Sequence, residues 1–244
     1  MHFTTTVSVL ILASLSNVLG VPTWSAPAVA RAEDSGLSLT AKLFLADTAV
    51  DRFALLPDDK QFVFDFNTPQ ANPGKGGELV AANRKTFPAL VGTGSGMAVG
   101  RIKPCGMNTL HVHPRATELQ IVTKGRLVTA MTPENGVNKD GKRRVIQNTV
   151  TEYQMTPFYQ GSVHTQFNPD CTDTIFVASF NSEDFGAGQV ADETFAFGDD
   201  ILGATFGQSL DGAEIDKVRA AIPASIAEGV EQCLMKCNIP KRSI

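Results

Sequence analysis

The chain has 244 residues, enough for one sizeable domain with a full core. Its formal net charge of −4 leaves no electrostatic footprint for nucleic acid or for an anionic membrane surface. Hydrophobic content of 43% is that of an ordinary globular protein, so neither a nucleic-acid partner nor stable membrane insertion is expected.

The apolar run from Val7 to Leu19 is shorter than the roughly 20 residues that span a bilayer, and it suits the core of a secretory signal. Val18 and Gly20 supply small residues before a cleavage point, and Pro22 and Pro27 argue against a buried helix. A leader at 1–20, a flexible segment at 21–35 and a single domain at 36–244 are expected. Leu39, Leu43, Ala46, Val50 and Phe53 recur at helical spacing before Pro57, as one helix or a broken pair of turns. Gln61 to Phe66 alternates like a strand, and Asn67 to Gly77 reads as a loop.

From about residue 78 to 205 the chain is a succession of short strand-like runs, which predicts an all-β barrel or sandwich. Candidate strands are Gly96–Ile102, Thr109–His113, Glu118–Thr123, Arg126–Met131, Arg144–Glu152, His164–Phe167 and Thr174–Phe180. The basic cluster at 139–144 surrounds Gly141 and reads as a solvated hairpin loop. At 211–237 the pattern turns helical: Asp211 and Glu214 form a capping box, Pro223 breaks the first helix, and a second spans about Ser225 to Lys236.

The chemistry concentrates in Gly106 to Gly125. His111 and His113 are two residues apart, so on a strand both side chains reach the same face and one metal. Pro114 and Arg115 form a turn, and Glu118 opens the returning strand pointing inward. His164 follows the turn residue Gly161 in another strand-like run. Of the four histidines in the sequence, only His2, in the leader, falls outside these positions. Three imidazoles and a carboxylate suit a divalent transition metal, and four protein ligands leave two positions open if it is six-coordinate. Gln120, Gln166 and Asn168 share the parity of the ligands and are expected to line the cavity.

The four cysteines agree with an oxidising destination. Facing residues of antiparallel strands have a constant index sum. With His111 or His113 facing His164 that sum is 275 or 277, and Cys105 with Cys171 falls between. This predicts a Cys105–Cys171 cross-strand disulfide and leaves Cys233–Cys237 as the second pair. No Asn-x-Ser/Thr acceptor for glycosylation occurs.

The segments Gly106…His111-Val-His113-Pro-Arg-Ala-Thr-Glu118…Gly125, Gly161…His164…Asn168 and Ser179-Phe-Asn-Ser182 resemble the motifs of the cupin superfamily. Within it, the germin and spherulin branch of secreted single-domain proteins is most similar. The resemblance implies a jelly-roll barrel in which His111, His113, Glu118 and His164 hold manganese. It also implies a homo-oligomer clasped by the C-terminal helices, although the residues alone equally allow helices folded back on their own barrel. Asn108 matches an amide that oxalate-oxidising germins place near the metal; as a plain residue it is a turn asparagine. Those enzymes use a second asparagine where Ala98 stands here, and Tyr159 replaces the proline of the second motif. Three functions are therefore expected in turn. The first is a secreted manganese oxidoreductase, acting on superoxide more readily than on oxalate. The second is a non-catalytic metal-binding protein of cell wall, spore or cyst, structural or for storage. The third is a binding pocket for a small molecule or anion.

Overall fold

The computed structural model describes residues 36–69, 73–223 and 225–240, so the expected leader, the 21–35 segment and His2 lie outside the described residues. Two short helices come first, α1 at Leu39–Leu45 and α2 at Ala49–Ala54. The helical spacing is realised as a broken pair because each piece has its own start. Ser38 caps the first helix, and Thr48 with Asp51 forms a capping box on the second. Leu43 packs with Leu56 and Val91 in a small core of their own.

The strand expected at Gln61 to Phe66 does not form. Asp58 and Gln61 build a capping box that starts a 3-10 turn at Asp59–Phe62. The rings that gave the alternation pack on one another, with Phe64 centred 4.8 Å from Phe66 and 5.5 Å from Phe87.

The β region then runs β1 Gly77–Ala82, β2 Gly96–Ile102, β3 Gly106–Val112, β4 Glu118–Lys124, β5 Arg126–Thr132, β6 Asn138–Lys139, β7 Lys142–Arg143, β8 Ile146–Thr151, β9 Met155–Phe158, β10 Val163–Phe167, β11 Thr174–Phe180 and β12 Gly188–Gln189. Helices α3 Val190–Phe195, α4 Asp199–Thr205 and α5 Gly212–Ala221 follow, then β13 Ile226–Glu228 and α6 Glu231–Lys236. One antiparallel sheet has the order β1-β2-β11-β4-β9 and the other β12-β3-β10-β5-β8, with β13 also on β3. Strands β6 and β7 form a separate ribbon that carries the basic hairpin.

Alternation explains the core. Ala98 and Ile102 of β2, Val122 of β4, Leu127 of β5, and Phe176, Ala178 and Phe180 of β11 are buried together between the sheets. Gly125 makes the β4–β5 turn at φ +77°, a conformation that L side chains disfavour. Pro157 sits in β9, the edge strand, where its missing N–H costs no ladder hydrogen bond.

The tail departs from expectation in one element. The predicted helix from Ser225 begins instead with β13, which pairs Ile226 with Asn108 and Ala227 with Met107. Strand β3 would otherwise present an open edge there. Its other end is covered by β12, where Gln189 pairs with His111. The strand carrying His111 is thus flanked on both sides.

The cysteine pairing also differs. The disulfides are Cys105–Cys233 and Cys171–Cys237, with Cα atoms 5.5 Å and 5.4 Å apart. The index sum of β3 and β10 slips by one between His164 and Gln166, and the ladder stops at Met107 and Phe167. Cys105 therefore lies in a turn, at φ 57°, and Cys171 in another, with no ladder holding them opposite one another. Cys233 on α6 and Cys237 at its C-cap, four residues apart, share the face that meets both turns.

Candidate metal centre

His111 lies one residue before the end of β3, His113 follows the strand, Glu118 opens β4 and His164 lies in β10 directly opposite His111. The four are buried, none more than 5% exposed. One potential ligand atom from each falls within 4.8 Å of all the others.

The backbone fixes how the imidazoles point. His111 Nδ1 lies 2.7 Å from the Thr109 carbonyl, His113 Nδ1 2.6 Å from that of Gly186, and His164 Nδ1 2.9 Å from that of Ser162. A carbonyl only accepts, so each Nδ1 carries the proton and donates it. Each Nε2 is left with a lone pair directed into the cluster. His113 Nε2 then lies 2.8 Å from Glu118 Oε2, acceptor against acceptor unless a cation stands between them. His164 Nε2 is buried 3.4 Å from the same oxygen without the alignment of a hydrogen bond. The orphaned Nε2 of His164, the facing acceptors of His113 and Glu118, and a fixed tautomer on all three rings fit a divalent cation bound through Nε2.

The electrostatics agree. Burial, reinforced by the neighbouring His164, holds His111 down at about 3 against the opposing pull of Glu118. Burial alone would raise Glu118, but hydrogen bonds from His113 and His164, once those rings carry an Nε2 proton, outweigh that and hold it at about 2. Both groups therefore stand in their metal-binding protonation states throughout the neutral range.

Aromatic rings wall the site. Phe158 stacks on His164 at 4.3 Å and Phe180 meets His113 edge-on at 4.8 Å. A loop following β11 closes it. Arg115 Nε donates to the Asp184 carbonyl at 2.8 Å and its Nη2 to Asp184 Oδ1 at 2.9 Å. Gly186, at φ +66°, brings its carbonyl to His113. In the Ser179–Ser182 stretch, Phe180 supplies a wall, Asn181 accepts the Thr117 N–H and Ser182 accepts that of Asp184.

The cavity measures about 110 Å³, and Ala98, Asn108, Gln166, Gln189 and Ser225 line it beside His111, His113 and Glu118. Asn108 reaches it because β3 changes parity between Asn108 and His111; its Nδ2 lies 3.4 Å from His111 Nε2. Gln120 is fully buried next to Glu118, toward the barrel core. Asn168 does not line the cavity. Its amide donates to the Ile102, Lys103 and Thr172 carbonyls, and its Oδ1 accepts the Asp170 N–H, so it ties strand ends together. A larger groove of about 530 Å³ lies against Leu39, Leu56, Phe64 and Phe87. No histidine lines it, so size does not mark the chemical site. The carbonyls of Thr109, Ser162 and Gly186 went unforeseen because backbone acceptors leave no trace in residue identity.

The profile of the cupin family matches residues 65–210, more than half of the chain. The chain belongs to the cupin family. Spherulin-1A of Physarum polycephalum is 34% identical over 202 residues, covering 82% of this chain and 79% of that protein. Germin-like protein 1-1 of Oryza sativa subsp. japonica is 32% identical over 168 residues, 67% of this chain and 73% of that protein. Among solved structures, oxalate oxidase in complex with the substrate analogue glycolate superposes with a TM-score of 0.59 at 23% identity. It covers 67% of this chain and 81% of that one, a likeness of fold. The germin- and spherulin-like cupin resemblance drawn from the histidine motifs therefore holds.

Proposed function

We propose that this cupin is a secreted manganese protein of the germin and spherulin kind, working as an oxidoreductase on superoxide rather than on oxalate. His111, His113 and His164 hold the ion through Nε2, and Glu118 supplies a carboxylate oxygen. The observation that carries the reading is the common orientation of the rings: three Nδ1–H groups anchored on carbonyls, with the potential ligand atoms of all three rings and of Glu118 within 4.8 Å of one another. When bound, manganese supplies one-electron redox chemistry and open coordination positions.

The protein's own residues set what reaches that position. Phe158 and Phe180 exclude water from two sides, and the cavity has room only for a small molecule or anion. Oxalate, with two carboxylates, needs several placed donors. Ala98 gives none on the β2 wall, leaving Asn108 as the amide nearest the ligands on β3. Superoxide needs no such array. Paired cysteines and the apolar run from Val7 to Leu19 support an extracellular or cell-wall location, and the family resemblance supports a homo-oligomer.

A second reading, a metal-holding structural or storage protein without turnover, is favoured by how deeply the ligands are buried. Elemental analysis of the secreted protein, with superoxide and oxalate assays on the same sample, tests both. Near-stoichiometric manganese with metal-dependent loss of superoxide is expected. Stoichiometric metal without turnover selects the second reading, and absence of metal overturns both.

A further inference from the structure

Gln120 lies two residues after Glu118 on β4, so its side chain enters the barrel directly below the ligand carboxylate. It is completely buried. Its partner across the sheet on β11 is Ala178, and the next inward residue of β4 is Val122. Both belong to the apolar core with Phe176 and Ala98. An apolar side chain would suit this position by every local rule, and a buried amide there carries a desolvation cost.

The amide has one hydrogen bond among the described residues. Nε2 donates to Glu118 Oε1 at 3.4 Å, while Oε1 is buried without any partner. The amide orientation follows from chemistry, because only the NH₂ end can face a carboxylate. Glu118 is thereby divided. Oε2 faces His113 at 2.8 Å and His164 at 3.4 Å, and Oε1 faces Gln120.

We propose that Gln120 is a positioning residue for the metal ligand. Its amide holds Glu118 Oε1 down and away from the histidines, so that Glu118 offers one oxygen, Oε2, to the cation. The proposal rests on the metal-binding reading above and adds to it the amide that orients the carboxylate. Outer hydrogen-bond partners of this kind typically alter metal affinity 10- to 100-fold when removed. They also change the electronic environment that spectroscopy reads.

The test compares the parent protein with Gln120→Met and Gln120→Leu, which keep bulk and remove the donor. A urea unfolding curve first shows that each metal-free protein is folded, and a separate folded sample is then titrated with manganese(II). Zero-field splitting is recorded by high-field electron paramagnetic resonance. The proposal expects variants at least as resistant to urea as the parent, with manganese(II) affinity about 10- to 100-fold lower and an altered splitting. Parent affinity and parent splitting in a folded variant would overturn it and leave the metal site standing. A parent protein that binds no manganese(II) would overturn both. Should neither variant fold, nitrogen-15 spectra of the parent decide. Zinc(II) loading is expected to shift the Gln120 side-chain amide, and an unmoved signal would sink the proposal.

Discussion

The carbonyl of Gly186 accepts the Nδ1–H of His113 at 2.6 Å, across 73 residues of sequence. This contact sets the His113 ring so that its Nε2 faces Glu118. It exists because Arg115, two residues beyond His113, holds Asp184, two residues before Gly186. The turn between His113 and Glu118 thus also carries the residue that brings a distant loop to His113.

Gly186→Ala tests this link. At φ +66° an alanine is strained by about 1–2 kcal/mol, and its Cβ would lie 2.6 Å from Arg115 Nη2. The loop must shift, and the carbonyl with it. Metal affinity is expected to fall by roughly 10-fold or more, measured by titration of the metal-free protein.

Arg115→Ala separates stability from ligand orientation. The Arg115–Asp184 pair is about half exposed, so its direct worth is only about 0–1 kcal/mol. The melting temperature is expected to change little while metal affinity falls clearly. Equal small effects on both would show that the loop does not depend on this ion pair.

His111→Ala and His164→Ala are each expected to abolish stoichiometric metal on elemental analysis. Normal metal content in both variants would rule out the site.

Acid should weaken the metal-free fold in a defined window. In the unfolded chain His111 titrates near 6.5 and in the fold at about 3, so the unfolded state binds its proton first. The stability this provides is complete above pH 6.5 and is lost as pH falls toward 3. Glu118, lowered from 4.5 to about 2, acts in the same direction below 4.5. Urea midpoints of the metal-free protein at pH 7.5, 5.5 and 4 should fall in that order, with a shallower decline in His111→Asn. A loss of metal through roughly pH 6 follows from an ordinary imidazole; burial of His111 extends its readiness for the ion to lower pH.

Peptide mapping without reductant is expected to recover Cys105 joined to Cys233 and Cys171 to Cys237. Cys233→Ser should destabilise the fold by about 2–5 kcal/mol in chemical denaturation.

The clustering of these four side chains was legible because period-2 alternation and residue type speak together: His111, His113 and Glu118 need only a strand, a turn and a returning strand. The bounds of β2 and β11 were legible for the same reason, since their apolar runs end at turn residues. The parity change inside β3 was not. It follows from pairing with β10, β12 and β13, which no local pattern encodes, and it both turned Asn108 inward and defeated the cysteine arithmetic. Asn168 shows the converse: its parity suited the cavity, but the strand ended at Phe167 and freed its amide to cap the turn. Gln61 to Phe66 failed because local capping by Asp58 prevailed over alternation.

Because α6 is sewn to the turns before β3 and β11, the tail does not depend on the peptide chain alone for its attachment. A protease that cut the exposed stretch near Gly207 would leave two fragments travelling as one molecule until a reductant was added. Such a cut would therefore pass unseen on a non-reducing gel.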